Sequence, residues 1–221
     1  MSMTHPIDFY YDPISPYAHL AFAQLPEALM GLSVHLRYRP VLFAAMLKAG
    51  GQKGPAEITG KREWTYRQVS WQAQRMGVAL DLPQAHPFNP LAVLRLGLAA
   101  ADEQGATNRW VTEQLFAHVW QGGADANDPA RLSELSARLQ AHVRDRGGVW
   151  LDPQSESVKT QLRRNTDAAL QAGVFGVPTC VWQGQVFWGL DALPMLRDAI
   201  DGGGWFAGPQ WQQAAELPSG V

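Results

Sequence analysis

The stretch Ile7-Asp8-Phe9-Tyr10-Tyr11-Asp12-Pro13-Ile14-Ser15-Pro16-Tyr17-Ala18-His19-Leu20 decides how the chain is read. Its first five residues are β-branched and aromatic, which predicts a short strand, and Asp12-Pro13 breaks it. Ser15 followed by Pro16 is the N-cap and first-turn pair of a helix. Leu20, Leu25 and Leu29 continue at near-helical spacing to Gly31, with Pro26 expected to kink or shorten the helix. Residues 34–41 then alternate as VHLRYRPV, a period-two strand with Val34, Leu36 and Tyr38 on one face. The opening unit is β-α-β.

From Leu42 to Gly173 the pattern changes to helices separated by cap and stop residues. Asn89-Pro90, Asn108 and Asp128-Pro129 read as helix starts, and Gly122-Gly123 and Gly147-Gly148 as stops. Leu132, Leu135 and Leu139, and then Val158, Leu162 and Leu170, mark two amphipathic helices. Two short strands follow over 178–182 and 185–188, joined by Gln183-Gly184 as an antiparallel hairpin. A last helix is expected from near Asp191 to Ile200, and the tail holding Trp205 and Trp211 shows no assignable pattern.

The 221 residues are 46% hydrophobic and 17% charged, enough apolar material for a packed core. A formal net charge of −2 provides no broad positive field for nucleic acid or anionic lipid. No stretch approaches the roughly 18 uninterrupted apolar residues of a membrane span. The start of the chain lacks the basic and apolar regions of a secretory signal, so a cytoplasmic location is expected. The histidines have no metal-ligand spacing, and no metal is expected. The single cysteine, Cys180, excludes an internal disulfide and a CxxC pair, so thiol chemistry would require an outside thiol. Cys180 itself reads as a core residue of a buried strand.

A β-α-β unit, a helical insertion and a β-β-α unit follow the order of an α/β, thioredoxin-like fold. The expected division is a split domain of residues 1–43 and 174–221 with an inserted helical domain of residues 44–173. Gly176-Val177-Pro178-Thr179 then falls where such folds carry a cis-proline facing the first helix, and Ser15 stands where redox members have a nucleophilic cysteine. A hydroxyl at a helix N-terminus can hold a thiolate, helped by the helix dipole. Ser15 also reads as a plain N-cap.

Asp8-Phe9-Tyr10-Tyr11-Asp12 with Ser15-Pro16-Tyr17, Arg39-Pro40-Val41-Leu42, Lys48, Gly176-Val177-Pro178-Thr179 and Phe187-Trp188-Gly189-Leu190-Asp191 resembles the 2-hydroxychromene-2-carboxylate isomerases. These stand with the kappa-class glutathione transferases in the DsbA-like branch of the thioredoxin fold. The resemblance spans about residues 7–200 and implies a glutathione-dependent isomerase of aromatic breakdown. It implies that Ser15 holds the glutathione sulfur, that Val177, before Pro178, pairs its backbone with the tripeptide, and that Leu190-Asp191 meets the γ-glutamyl end. Asp191 also reads as an N-cap of the last helix.

On the substrate side the resemblance points to Lys48 and Lys61 as carboxylate partners, though both also read as solvated surface lysines. Asn89 matches an asparagine at the start of an insertion helix, where it also reads as a cap before Pro90. Tyr17 and Trp188 are candidate walls for an aromatic substrate, or simple core aromatics. Three positions depart from the family pattern: His19, where tyrosine is common and which is expected to pack, Gln52 in place of a substrate-side asparagine, and Pro13 in place of phenylalanine. They bear on the substrate more than on the class. The rival readings are a kappa-like transferase that releases a conjugate, and a non-catalytic binder of thiol peptides. Related enzymes are commonly dimers, and nothing in the residues decides whether this chain is one.

Overall fold

The computed structural model describes residues 6–218. The leader reading rests mainly on residues that lie outside that range. Four strands, β1 (Pro6–Tyr11), β2 (His35–Pro40), β3 (Thr179–Trp182) and β4 (Gln185–Trp188), form one sheet in the order β2-β1-β3-β4. β1 and β2 are parallel, as a β-α-β crossover requires, and the pairs β1–β3 and β3–β4 are antiparallel.

Side-chain alternation gives the sheet two covered faces. Ile7, Phe9, Tyr11, Cys180 and Phe187 pack in one core with Phe22 and Leu25 of α1 (Pro16–Ala28). On the other face Tyr10 and Val181 pack in a smaller core with Met46 of α2 (Phe43–Ala49), Val174 and Val177. Asp8 lies between Arg37 and Arg39 of β2, accepting from Arg39 Nε at 2.8 Å and from both Nε and Nη2 of Arg37. α1 continues through Pro26 to Ala28, where buried Leu25 and Leu29 hold its last turn on the sheet, so the proline does not end the helix.

The insertion carries α2, α3 (Lys61–Met76), α4 (Leu91–Ala99), α5 (Arg109–Trp120), α6 (Pro129–Asp145) and α7 (Glu156–Gln171). Asn108 and Asp128 cap α5 and α6 through their side chains, as expected. Phe116 and Trp120 of α5 belong to the same core as Phe9 and Tyr11, so the inserted helices bury apolar surface directly against the sheet's elements. Gln183 and Gly184 have φ of +50° and +79°, the left-handed pair of a primed two-residue hairpin turn.

The last helix begins later than expected. A 3-10 turn at Leu190–Ala192 leads into α8 (Leu193–Ile200). The tail is ordered as a 3-10 turn and α9 (Pro209–Ala215), with the Trp205, Phe206 and Trp211 rings 5.2–5.4 Å apart and Phe206 packed edge-on against Phe187 at 6.0 Å. Such a cluster buries surface without any helical or strand period, which is why no pattern was assignable. Among the described residues, no helix is long and apolar enough to cross a membrane. No group of three or more His, Cys, Asp or Glu that could hold a metal occurs among them either.

Candidate active site

Ser15 sits at the N-cap of α1, where its Oγ accepts the Ala18 N–H at 3.2 Å. The same hydroxyl donates to the Val177 carbonyl at 3.4 Å, across 162 residues of sequence. That second contact is long for an O–H···O bond, whose usual length is about 2.7–2.8 Å, so a stronger acceptor can capture the proton. The first turn of α1 carries no acidic residue, and the positive end of the helix dipole is unopposed there. The Val177–Pro178 peptide is cis.

Val177 opens the way to an extended ligand. β3 begins only at Thr179, and Gly189 N–H takes the Pro178 carbonyl at 2.9 Å. The Val177 N–H has no partner among the described residues. It therefore stands as a free donor at the end of a strand, the arrangement that adds a peptide by backbone pairing.

A cavity of about 410 Å³ lies against this edge. Tyr17, Val177, Pro178, Trp188, Leu190 and Asp191, all singled out in the sequence, line it together with Gln68, Gln72 and Gly189. The Tyr17 hydroxyl, whose pKa is raised by burial, donates to Gln68 Oε1 at 2.7 Å. Gln72 Oε1 is buried without a partner among the described residues. Asp191 is exposed and has no ion-pair partner among them. Gly189 has φ +101°, and a Cβ there would collide with Asp191 Oδ1, so only glycine lets the carboxylate fold back against the chain. Trp188 is 54% exposed, with its ring 5.0 Å from Phe175. No lysine, arginine or histidine lines this cavity.

A second recess of about 430 Å³, at Glu57, Arg62, Glu63 and Pro87, contains none of the candidate residues. The chemistry assembles around the first cavity: Val177 with its free backbone N–H, Gln72 with its unpaired Oε1 and the Asp191 carboxylate belong to its lining, while the Ser15 hydroxyl on the helix N-terminus is buried behind that lining and reaches it through the Val177 carbonyl. That set suits a peptide-like thiol with an amine at one end.

The turn before Ser15 is held from several sides. Asp12 is fully buried, and its carboxylate accepts Ile14 N–H at 3.1 Å and Phe43 N–H at 3.0 Å, while burial pushes its pKa up to about 7. Trp120 Nε1–H donates to the Pro13 carbonyl at 2.8 Å.

The sequence model of the DSBA-like thioredoxin domain family matches residues 6–201. The chain belongs to that family. This DSBA-like chain is 28% identical over 200 residues to the 2-hydroxychromene-2-carboxylate isomerase of Sphingobium xenophagum, covering 90% of the chain and 99% of the relative. It is 24% identical over 180 residues to glutathione S-transferase kappa 1 of Rattus norvegicus, covering 79% of the chain and 80% of that protein. A solved 2-hydroxychromene-2-carboxylate isomerase superposes with a TM-score of 0.71 at 22% identity, over 97% of the chain and 100% of that structure. The DsbA-like thioredoxin fold is therefore established for this protein.

Within this DSBA-like frame the other predicted residues are dispersed. Lys48 near the end of α2, Gln52 in the following loop, Lys61 at the first position of α3 and Asn89 before α4 are all exposed, and none lines the cavity. Asn89 Oδ1 accepts Leu91 N–H at 3.1 Å and so supports the start of α4. His19 packs, with its ring 5.6 Å from Phe116 and its Nε2 on the Ala79 carbonyl at 2.8 Å, and burial lowers its pKa. Cys180 is buried and its thiol is pushed up to about 12. Gln68 and Gln72 are the lining residues that the sequence reading passed over. Their i, i+4 spacing on a helix, next to buried Val69 and Ala73, was the available signal.

Proposed function

We propose that this chain is a glutathione-dependent isomerase interconverting 2-hydroxychromene-2-carboxylate and trans-o-hydroxybenzylidenepyruvate, or a close analogue. The observation that carries the reading is the Ser15 hydroxyl on the α1 N-terminus, 3.4 Å from the carbonyl preceding Pro178. A thiolate delivered there receives a hydrogen bond and the helix dipole, and the chain has no thiol of its own at that place.

In this reading the glutathione backbone pairs with Val177 along Pro178, the γ-glutamyl ammonium meets Asp191 beside Leu190, and the sulfur points at Ser15. The thiolate adds to the conjugated carbon of the ring-opened substrate, and the electron pair moves onto the pyruvyl oxygen as an enolate. The former double bond is now single and rotates. Collapse of the enolate expels the thiolate, so glutathione is regenerated and no atom is lost. Tyr17 and Trp188 wall the aromatic ring. The cavity itself lacks a cation, and Lys48, Gln52, Lys61 and Asn89, the residues expected on the substrate side, lie outside its lining, so within it the substrate meets the side chains of Gln68 and Gln72.

The deciding experiment is an ultraviolet assay of chromene-carboxylate isomerisation with and without glutathione. Turnover that depends on glutathione supports the proposal, and equal rates without it end it. The match to a kappa-class transferase favours a second reading, in which the same site releases a conjugate. Conjugation of chlorodinitrobenzene without isomerisation would select that reading.

A further inference from the structure

The Ile14–Ser15 peptide is pinned at both of its polar atoms. Ser15 N–H donates to the Asp12 carbonyl at 3.0 Å, and the Ile14 carbonyl accepts from His86 Nε2 at 2.7 Å, across 72 residues of sequence. A carbonyl can only accept, so Nε2 carries the proton and Nδ1 of the neutral ring is an acceptor. Tyr66 meets it there, with its hydroxyl 2.8 Å from Nδ1. The imidazole also packs at a tilt 5.3 Å from the Trp120 ring, whose Nε1–H holds the neighbouring Pro13 carbonyl. Two ring N–H groups thus grip two consecutive carbonyls immediately before Ser15. Burial lowers the pKa of His86, which keeps the ring in the neutral form this arrangement uses.

Holding this peptide plane helps to hold the backbone of Ser15, at φ −86° and ψ 116°, and with it the direction of Cα–Cβ, from which the Ala18 N–H and the Val177 carbonyl select the position of Oγ. We propose that His86, its tautomer set by the Ile14 carbonyl and its ring held from the other side by Tyr66, is a positioning residue that aims the Ser15 hydroxyl at the sulfur of the bound thiol. This rests on the proposed role of Ser15. His86 lies outside the ligand cavity and acts through the Ile14 carbonyl. A neutral helix-cap role would demand only that Ser15 reach Ala18 N–H, which the turn geometry alone supplies. The clamp on the preceding peptide restricts Oγ further, in the way that catalytic groups require sub-ångström placement.

The test uses His86→Leu, His86→Gln and Tyr66→Phe. Glutamine can present an N–H near the Nε2 position, and leucine cannot. Three quantities are read: kcat, KM for glutathione, and the pKa of the bound thiol, followed by the ultraviolet absorbance of its thiolate. His86→Leu is expected to lower kcat roughly tenfold and raise the bound thiol pKa by about one, with KM for glutathione within about twofold of wild type. His86→Gln should recover most of both losses, and Tyr66→Phe should move them in the same direction by less. If His86→Leu does not fold, the Tyr66→Phe and His86→Gln pair decides by the same readouts. A wild-type thiol pKa and kcat in His86→Leu, or in Tyr66→Phe where leucine fails to fold, overturns the proposal. Equal impairment of the leucine and glutamine variants also overturns it, because the donor would then be irrelevant. Ser15→Ala is the control: an unchanged bound-thiol pKa in that variant brings down the functional reading itself, whereas a raised one beside a silent His86→Leu brings down only this inference.

Discussion

Ser15 Oγ donates at 3.4 Å to the carbonyl of Val177, the residue whose cis peptide leads into Pro178. This joins the N-terminus of α1 to the start of β3 and places the hydroxyl against the chain edge where an extended ligand can pair. The bond is long enough for the hydroxyl to turn to a sulfur anion without losing a strong native interaction. Ser15→Ala is therefore expected to lower turnover by about two to three orders of magnitude, the usual effect of removing a donor aimed at developing charge. The stability cost is that of a lost N-cap, about 1 kcal/mol. Steady-state rates and urea unfolding check the two halves, and activity within threefold of wild type contradicts the role given to Ser15.

Gly189 permits the placement of Asp191. Gly189→Ala forces a Cβ into φ +101° and into Asp191 Oδ1, so the carboxylate must swing away. Asp191→Asn removes the charge without the displacement. Both variants are expected to weaken glutathione binding by about 10- to 100-fold, the scale of one charge-assisted hydrogen bond. Calorimetric titration reads this directly, and unaltered affinity in both excludes Asp191 as the ammonium partner.

Asp12 makes stability depend on pH in a specific direction. Its carboxyl titrates at about 7 in the fold because of burial, against about 3.9 in an unfolded chain. Between those values the folded protein holds a proton that the unfolded chain has released. Its contribution is complete below about pH 4 and is lost as pH rises through about 7. Buried His19, His86 and His118 have lowered pKa values and act oppositely, with stability present above their unfolded value and lost in acid. The difference between wild type and Asp12→Asn isolates the carboxyl. Asparagine cannot accept from both Ile14 and Phe43, so the variant should be less stable in acid, and its disadvantage should shrink toward neutral pH, by at most about 4 kcal/mol. A pH-independent difference between the two proteins contradicts the assigned titration.

Glutathione should stabilise the fold on the proposed reading. At about 100 times its dissociation constant a ligand adds about 2.7 kcal/mol, and for a chain of this size the Tm should rise by roughly 5 to 10 °C. S-methylglutathione, which has no ionisable thiol, should give a smaller rise if Ser15 contacts the sulfur. No rise with either would favour a binder of other thiol peptides.

The elements legible in the sequence were those specified by neighbours in the chain. Ser15-Pro16 reads as a helix start because capping is decided within four residues, and Gln183-Gly184 reads as a hairpin because the turn is decided within two. Val177, Pro178, Leu190 and Asp191 came from an ordered set of motifs, and the fold brings them to one cavity with Tyr17 and Trp188. Gln68 and Gln72 were missed because only the packing of α3 beside α1 turns them toward that cavity. His86 was read only as lacking metal spacing, since its meeting with Ile14 and Tyr66 depends on a loop returning to the sheet. The helices of the insertion were visible as periodic segments, but which of their faces meet the sheet is a tertiary choice.

Cys180 lies in the β1–β3 pairing, opposite Phe9, sealed from solvent with a thiol that stays protonated. On the proposed reading the reactive sulfur is a diffusible molecule, and the protein's own sulfhydryl is out of reach. Peroxide entering the cavity would oxidise a replaceable ligand and leave the polypeptide's cysteine intact. Recovery from oxidative stress would then require only exchange of glutathione, without repair or resynthesis of the chain.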